Sequence, residues 1–547
     1  MMPEKDCTLW DLAQREQEKH PNRPPIVAAY VQHVLKDLQT EISDEIAQDP
    51  EAIDFIDRTS DEGRRIYRRS VTFLLMLAVH ELYPQLEVGV EFSANGGLFC
   101  APCNGGALTR EMVQALETRM RAIVAEGRPI QKRRIRREEA VQLFKQSRQV
   151  EKANLLLTLQ QDEVSLYDCG TFYDYLYGPM LNSTQSLTRF ALDFMPPGLL
   201  LRTPGAKDPY QVTPPVRQPK LRGVFLEAER WAEILHCRYI PDLNRYTRQG
   251  KVADIIHVSE ALHEKRIAEI AAHIAAQAHC IRLILIAGPS SSGKTSFAQR
   301  LRIQLRVNGL EPVSISLDDY FKNREDTPRT PEGAYDFESL QALDVDIFNA
   351  NLLDLMAGKE VTLPRFNFVT GKREYYPEPI SLLPKSPIIV EGIHGLNEAL
   401  TQAVPRERKY KIYVSPLTAL NMDVHNRIPT TDARLLRRLT RDYRSRASSA
   451  LKTLRQWKDV RRGEDRNIFP YQEEADVMFN SALIYELGIL KIYAEPLLAQ
   501  VPPNEPEYAK AQELLDFCRL FEPIDGDFDI PNNSLLREFI GKSIFFR

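Results

Sequence analysis

Apolar residues recur at three- and four-residue spacing over 61–80, 109–126 and 137–148, which predicts three amphipathic helices. Short strand-like runs at 87–92 and 129–135 lie between them, so the first part of the chain predicts an α+β unit. Within 202–222, Pro204, Pro209, Pro214, Pro215 and Pro219 remove amide donors and disfavour helix on their N-terminal sides, which predicts a linker. Beyond it, 258–279 keeps helical spacing with many alanines and neither Pro nor Gly, a helix leading into a second unit. There, apolar runs at 282–287, 312–317 and 387–390 alternate with helical patterns such as 296–307, the order of an α/β domain with a buried parallel sheet. A further helix is predicted over 508–520, followed by a tail ending LLREFIGKSIFFR that is expected to pack on the rest.

Length and composition narrow this picture without changing it. At 547 residues the chain is long enough for three or four units. Its 43% hydrophobic and 27% charged content is globular rather than fibrous, disordered or membrane-spanning. A net charge of −4 supplies no general attraction to nucleic acid and argues against it as a partner. Cys7, Cys100, Cys103, Cys169, Cys237, Cys280 and Cys518 show no disulfide rhythm and fit a reducing compartment. The first residues carry no apolar signal core, and no run of about 18 apolar residues occurs. The expected location is the cytoplasm, with no membrane partner.

The candidate chemistry centres on Gly288-Pro289-Ser290-Ser291-Ser292-Gly293-Lys294-Thr295, a G-x-x-x-x-G-K-T loop between a predicted strand and a predicted helix. In that setting glycines let backbone amides wrap phosphates, and the helix N-terminus adds positive partial charge. Lys294 is placed on the β- and γ-phosphates of ATP and Thr295 on Mg²⁺, with Gly288, Ser290, Ser291, Ser292, Gly293 and Ser296 completing the cradle. The next strand ends at Asp318-Asp319-Tyr320-Phe321, where a carboxylate would face the transferring phosphoryl group and accept a hydroxyl proton. Asp318 is the expected base, with Asp319 behind it; a turn or capping aspartate is the alternative. The third strand ends at Glu391, a candidate Mg²⁺ partner, followed closely by His394, a substrate contact or a structural histidine. Arg434, Arg437, Arg438, Arg441, Arg444 and Arg446 crowd one helical stretch, either a lid over phosphates or a solvated basic face.

Taken in order, GPSSSGKT, SLDDYF, YDFES, LPRFNF, VEGIHGL and RLLRRLTRD resemble the uridine kinase and phosphoribulokinase family over about 283–487. The resemblance implies a P-loop NTPase kinase domain that uses ATP and Mg²⁺ to phosphorylate a hydroxyl of a small acceptor, most simply a nucleoside at its 5′ position. It implies Asp318 as base, Lys294 and Thr295 as phosphate and metal residues, and Arg437, Arg438 and Arg441 as lid arginines. It also places Tyr320, Glu338, Phe366, Phe368, Glu391 and His394 at the acceptor. Phe366 and Phe368 either stack on a base or pack as ordinary strand aromatics. Gly371 stands where uridine kinases carry a histidine for the pyrimidine edge.

A second resemblance covers the first part of the chain. Residues 8–58 are similar to the β-grasp TGS domain, and 56–186 resemble the editing module of threonyl-tRNA synthetase through DEGRRIY, REEA and GTFYD followed by Gly178 and Pro179. The editing residues of that module fall on Arg69, Phe73, Leu176 and Met180, which offer neither imidazole nor thiolate, so no editing hydrolysis is expected. Cys100 and Cys103 lack a second pair at ligand spacing and read as ordinary cysteines, and the basic run 132–137 reads as a solvated strand face or an RNA contact. The expected organisation is 1–58 TGS-like, 59–202 editing-like, 203–258 linker and connecting helices, 259–500 kinase-like, and 501–547 C-terminal helical segment and tail. A homo-oligomer stays open. The competing class is a nucleotide-switched RNA-binding or regulatory protein, against which Asp318 speaks, since a switch needs no acceptor base.

Overall fold

The computed structural model describes residues 7–546 apart from the side chains of 7 and 94 and residues 44, 45, 47, 48, 50, 51, 95, 104, 207, 331, 332, 334, 526 and 528; residues 1–6 of the expected first unit and Arg547 lie outside the described set. Thr8 caps the helix Leu9–Lys19 by a reciprocal hydrogen-bond pair with Asp11, and Leu9 and Ala13 bury their side chains against Ile26–Val31. That strand is the middle of a three-stranded antiparallel sheet with Val34–Lys36 and Ile53–Asp57.

Ser60 then caps the helix Asp61–Leu82, accepting a hydrogen bond from the Gly63 amide. Every residue from Ser70 to Val79 is buried, so this helix is enclosed on all sides and forms the axis of the second core. Around it stand the helix Arg110–Glu126, a four-stranded antiparallel sheet ordered Ala191–Met195, Gly198–Arg202, Gly97–Pro102, Val88–Ala94, and a three-stranded sheet of Phe172–Asp174, Glu163–Cys169 and Gln131–Arg136. The predicted α+β character is observed. The predicted linker is shorter than expected, because Pro219 sits at the first position of the helix Pro219–Ile234, where its missing N–H costs nothing.

Five parallel strands make the sheet of the second part, in the order Val313–Ser316, Ile388–Glu391, Leu283–Ala287, Lys409–Ser415, Val477–Asn480. The all-apolar run Leu283–Ala287 takes the centre and is buried throughout. Helices Val252–Ala276 and Lys294–Val307 cover one face through Ile267, Ile270, Phe297 and Leu301, and Val345–Met356 covers the other through Phe348 and Leu352. Because all five strands run the same way, the loop after Ala287 and the residues after Ser316 and Val390 emerge at one edge.

The two parts meet along the segment that leads into the helix Thr430–Arg446. Asn421 reaches the carbonyls of Val90 and Glu91, the Val90 amide donates to the Val424 carbonyl at 2.8 Å, and the Tyr177 amide donates to Asn426 at 2.7 Å. His425 Nδ1 lies 2.6 Å from Lys152 and 2.7 Å from Asp174, three side chains that are nearly or wholly shut from solvent. Arg65 grips Asp432 with both terminal nitrogens, at 3.0 and 3.3 Å, and also Thr431 and Glu513. Burial alone would raise the Asp432 pKa, but Arg65 and Lys510 hold it well below the usual carboxylate range. A lowered native pKa adds stability above the unfolded value, near 4, and loses it as the pH falls below that. Arg65→Met leaves the buried Asp432 carboxylate with Lys510, at 2.9 Å, as its charged partner, and a loss of about 2 kcal/mol is expected from removing the guanidinium. The denaturant midpoint at pH 7 reads this loss, which must shrink as the pH falls toward 3.

Candidate active site

Gly288 follows the central strand and presses against its neighbour: a Cβ there would stand 1.9 Å from the Val414 carbonyl oxygen, so only glycine fits. Gly293 closes the loop at φ 81° and opens the helix Lys294–Val307. Lys294 spans the turn, donating to the Gly288 and Pro289 carbonyls at 2.9 and 3.0 Å. The Ser291 and Ser292 hydroxyls are buried with no hydrogen-bond partner in the described residues, a vacancy that phosphate oxygens would satisfy. The Ser296 amide and hydroxyl donate to Glu538 at 3.3 and 2.7 Å, so a carboxylate already stands at the helix N-terminus. An anion therefore suits this cradle.

Four acids act on Lys294: Glu391, Asp318, Glu338 and Glu538. Glu391 ends its strand, accepts a 3.0 Å hydrogen bond from the Ser316 hydroxyl, and is pushed up to about 7 by burial and by Asp318, against Lys294. Asp318 keeps solvent-exposed surface, yet the protein crowded around it raises its pKa, opposed by Lys294, Arg446 and Arg441. Glu338 is also raised to about 7, by burial and then Glu464. Burial lowers the Lys294 pKa, countered by Glu391, Glu538 and Asp318. Thr295 and Glu391 supply the hydroxyl and carboxylate oxygens that Mg²⁺ accepts when it keeps most of its waters. His394 is 2% exposed beside the Glu338 backbone, with neither ring nitrogen hydrogen-bonded and its pKa lowered to about 4 by burial.

Other expected positions fall elsewhere. Tyr320 is packed in the core edge-on to Phe348, its hydroxyl taken by Asn351 at 3.1 Å, so an acceptor contact is corrected to a core position. Asp319 turns from the phosphate side to hold the hairpin Pro364–Asn367 and Lys372–Tyr375, accepting from the Phe366 amide and the Tyr376 hydroxyl. Phe366 is buried and Phe368 is 59% exposed, so one aromatic packs and the other stays open.

The arginine helix Thr430–Arg446 is neither a solvated basic face nor a free lid along its length. Arg437 is wholly buried, paired with Glu486 and bonded to the Ser481 and Ser291 carbonyls. Arg434 is buried against Glu464 and donates to the Ser290 carbonyl at 3.0 Å, while the Ser290 amide donates to the same Glu464 at 2.9 Å. Arg438 donates to the Ser290 hydroxyl at 2.7 Å. These three brace the loop from behind. Arg446 and Arg441, the latter bound to Asp442 at 2.9 Å, are the expected arginines whose charge still acts on Asp318. Glu464, Glu486, Ser481 and Glu538 carried no signal in the sequence, since isolated acids and serines on later helices look like solvated residues until the tertiary fold buries them.

The profile of the Phosphoribulokinase / Uridine kinase family matches residues 283–484. A uridine kinase of Chloroflexus aggregans is 32% identical over 199 residues, 36% of this chain and 85% of its own length. The chain belongs to the phosphoribulokinase and uridine kinase family. A uridine kinase of Schizosaccharomyces pombe is 34% identical over 179 residues, 32% of this chain and 35% of its own. A threonine–tRNA ligase of Acidithiobacillus ferrooxidans is 33% identical over 167 residues in the N-terminal region, 30% of this chain. The chain spans only 25% of that ligase's length.

Where the uridine kinase resemblance led to a histidine, Gly371 turns the hairpin at φ 70°, and a Cβ there would meet the Arg324 guanidinium at 2.8 Å. Arg324 thus fills that place and donates to the Phe368 carbonyl at 2.8 Å. In the N-terminal part, Arg69 crosses to the Pro179 carbonyl at 2.6 Å and lies against Gly178, while Phe73, Leu176 and Met180 are core residues. The place of an editing centre is packed shut. No cluster of three or more metal-binding side chains exists among the described residues, and the Cys100 and Cys103 thiols are pushed up by burial. Lys132, Arg133 and Arg134 pair with Asp37, Asp168 and Glu163, which leaves that basic strand largely neutralised. No helix of the described residues is long and apolar enough to cross a membrane.

Glu338 and Glu391 hold their protons to about pH 7 in the folded chain but release them near 4.5 when unfolded. A raised native pKa gives stability that is full below the unfolded value and is lost as the pH rises through the folded one. Melting temperatures of the nucleotide-free protein between pH 5 and 8 are expected to fall less steeply for Glu338→Gln than for the wild type. Equal slopes would refute the buried-acid account.

Proposed function

We propose that this chain is an ATP- and Mg²⁺-dependent kinase that transfers a γ-phosphoryl group to a hydroxyl of a small acceptor, a nucleoside 5′-hydroxyl before others. The observation that carries the reading is Asp318. A carboxylate with an elevated pKa stands at the strand edge within reach of the charges of Lys294 and Arg441, beside a cradle with unsatisfied hydroxyls.

In this reading the acceptor hydroxyl donates its hydrogen bond to Asp318, which takes the proton as the oxygen attacks. Its raised pKa improves its strength as a base at neutral pH. Lys294 and the loop amides hold the phosphates in line, and Arg441 balances charge that spreads onto the transferring group. Mg²⁺, held through Thr295 and Glu391, would supply charge neutralisation on the phosphate oxygens. Phe368 and Arg324 offer a stacking face and hydrogen-bond donors beside the hairpin, and the unpaired His394 and the Glu338 carboxyl offer donors and acceptors for sugar hydroxyls. Support for a nucleoside comes from the two uridine kinase relatives; Gly371 is the position that departs from them. The N-terminal part, with Arg69 and three apolar residues at the editing positions, is proposed to have no editing activity.

A screen of nucleosides, sugars and their phosphates for acceptor-dependent ADP release tests the reading. Asp318→Asn is expected to lower kcat by about a thousandfold with the KM for ATP little changed, as removal of a general base does. Lys294→Ala should abolish transfer. A folded wild type that releases no acceptor-dependent ADP with any of these compounds would overturn it.

A further inference from the structure

The C-terminal tail reaches the phosphate loop with one side chain that nothing in the proposed reaction uses. Ser296 lies in the first turn of the helix Lys294–Val307, where backbone N–H groups have no partner within the helix. Its amide and its hydroxyl both donate to the same Glu538 oxygen, at 3.3 and 2.7 Å. Those two contacts are the only side-chain hydrogen bonds of Glu538 among the described residues, and the side chain is half-buried rather than enclosed.

The backbone around Glu538 is fixed independently. Arg537 is almost fully buried and bonds to the Asp527 side chain and to the Asp527 and Ile530 carbonyls. Leu535 is wholly buried and stands 3.2 Å from where a Cβ on Gly293 would lie, so the tail touches the loop itself. Phe539 lies under the Arg437 guanidinium at 5.0 Å, and its carbonyl accepts from Arg444 at 3.2 Å. The tail is therefore a fixed wall of the cradle, and Glu538 is the half-buried side chain it presents to Ser296.

We propose that Glu538 is a built-in competitor for the donor phosphates, seated on Ser296 in the free protein and displaced when nucleotide binds. The inference rests on the reading of the loop as the donor site. A carboxylate and a phosphate seek the same N–H and O–H donors, and their like charges exclude joint occupancy. Holding the carboxylate there keeps the Ser296 donors satisfied when no nucleotide is bound and lowers the affinity for one that arrives. The C-terminal segment then sets donor affinity without touching the acceptor side. A metal-ligand role for Glu538 predicts the opposite sign, since its removal would weaken nucleotide binding.

Calorimetric titration of the full-length protein with ADP and with pyrophosphate, without added metal and again with Mg²⁺, decides the matter. Glu538→Ala is expected to lower the ADP Kd by about tenfold, Glu538→Gln to lower it less, because an amide oxygen can still accept from Ser296, and Glu538→Asp to fall between Gln and wild type. Melting curves confirm that each variant is folded, and any one folded variant suffices. Affinity equal to or weaker than wild type in the folded variants overturns this inference alone. Absence of ADP and pyrophosphate binding by every protein overturns the donor-site reading with it.

Discussion

The close approach of Gly288 to the Val414 carbonyl is the constraint from which the site follows. With no side chain at 288, the loop can leave the central strand and fold back against the neighbouring one, and its following amides and hydroxyls then point into a common space. A methyl group there would stand 1.9 Å from that oxygen and push the whole loop off the sheet. Everything else in the site is arranged around a loop held at that distance: Lys294 ties its two ends together, and the parallel strand order brings Asp318 and Glu391 to the same edge.

A loop of this kind carries many unsatisfied donors and carbonyls, and the chain stabilises it from behind with buried charge. Arg434 and Glu464 together take the Ser290 carbonyl and amide, and Arg437, neutralised by Glu486, takes the Ser291 carbonyl. Buried arginines of this sort cost free energy unless each is paired and hydrogen-bonded, and here each is. They make the loop rigid rather than merely positive. The same helix carries Asp432 in its first turn, which Arg65 of the N-terminal part holds, so the two halves of the molecule are joined at the element that braces the loop.

Much of this was legible in the chain. The G-x-x-x-x-G-K-T spacing, an apolar run before it and a helical pattern after it mark a phosphate cradle from local chemistry alone, because strand, turn and helix preferences all agree over 282–307. Asp318 and Glu391 were legible for the same reason: each ends an apolar run, and parallel strands deliver their C-terminal ends to one edge. The absence of imidazole and thiolate at Arg69, Phe73, Leu176 and Met180 could likewise be read directly.

What only the tertiary structure decided is the environment of charged residues. The arginines 434, 437, 438 and 441 have one spacing and one helical face, yet Arg437 is shut in beside Glu486 while Arg441 is left to act on Asp318; partners from helices 30 to 50 residues away set that difference, and spacing cannot encode it. Tyr320, placed at the acceptor by motif, and Phe366, left open between stacking on a base and strand packing, are both buried in the core beside the helix Val345–Met356. Glu538 reached Ser296 across 242 residues. The sequence by itself determined the α+β and α/β character of the two parts and the phosphate loop, which depend on local backbone preferences and hydrophobic period, whereas the pairing of buried charges, which depends on long-range approach and desolvation, was settled only when the chain was folded.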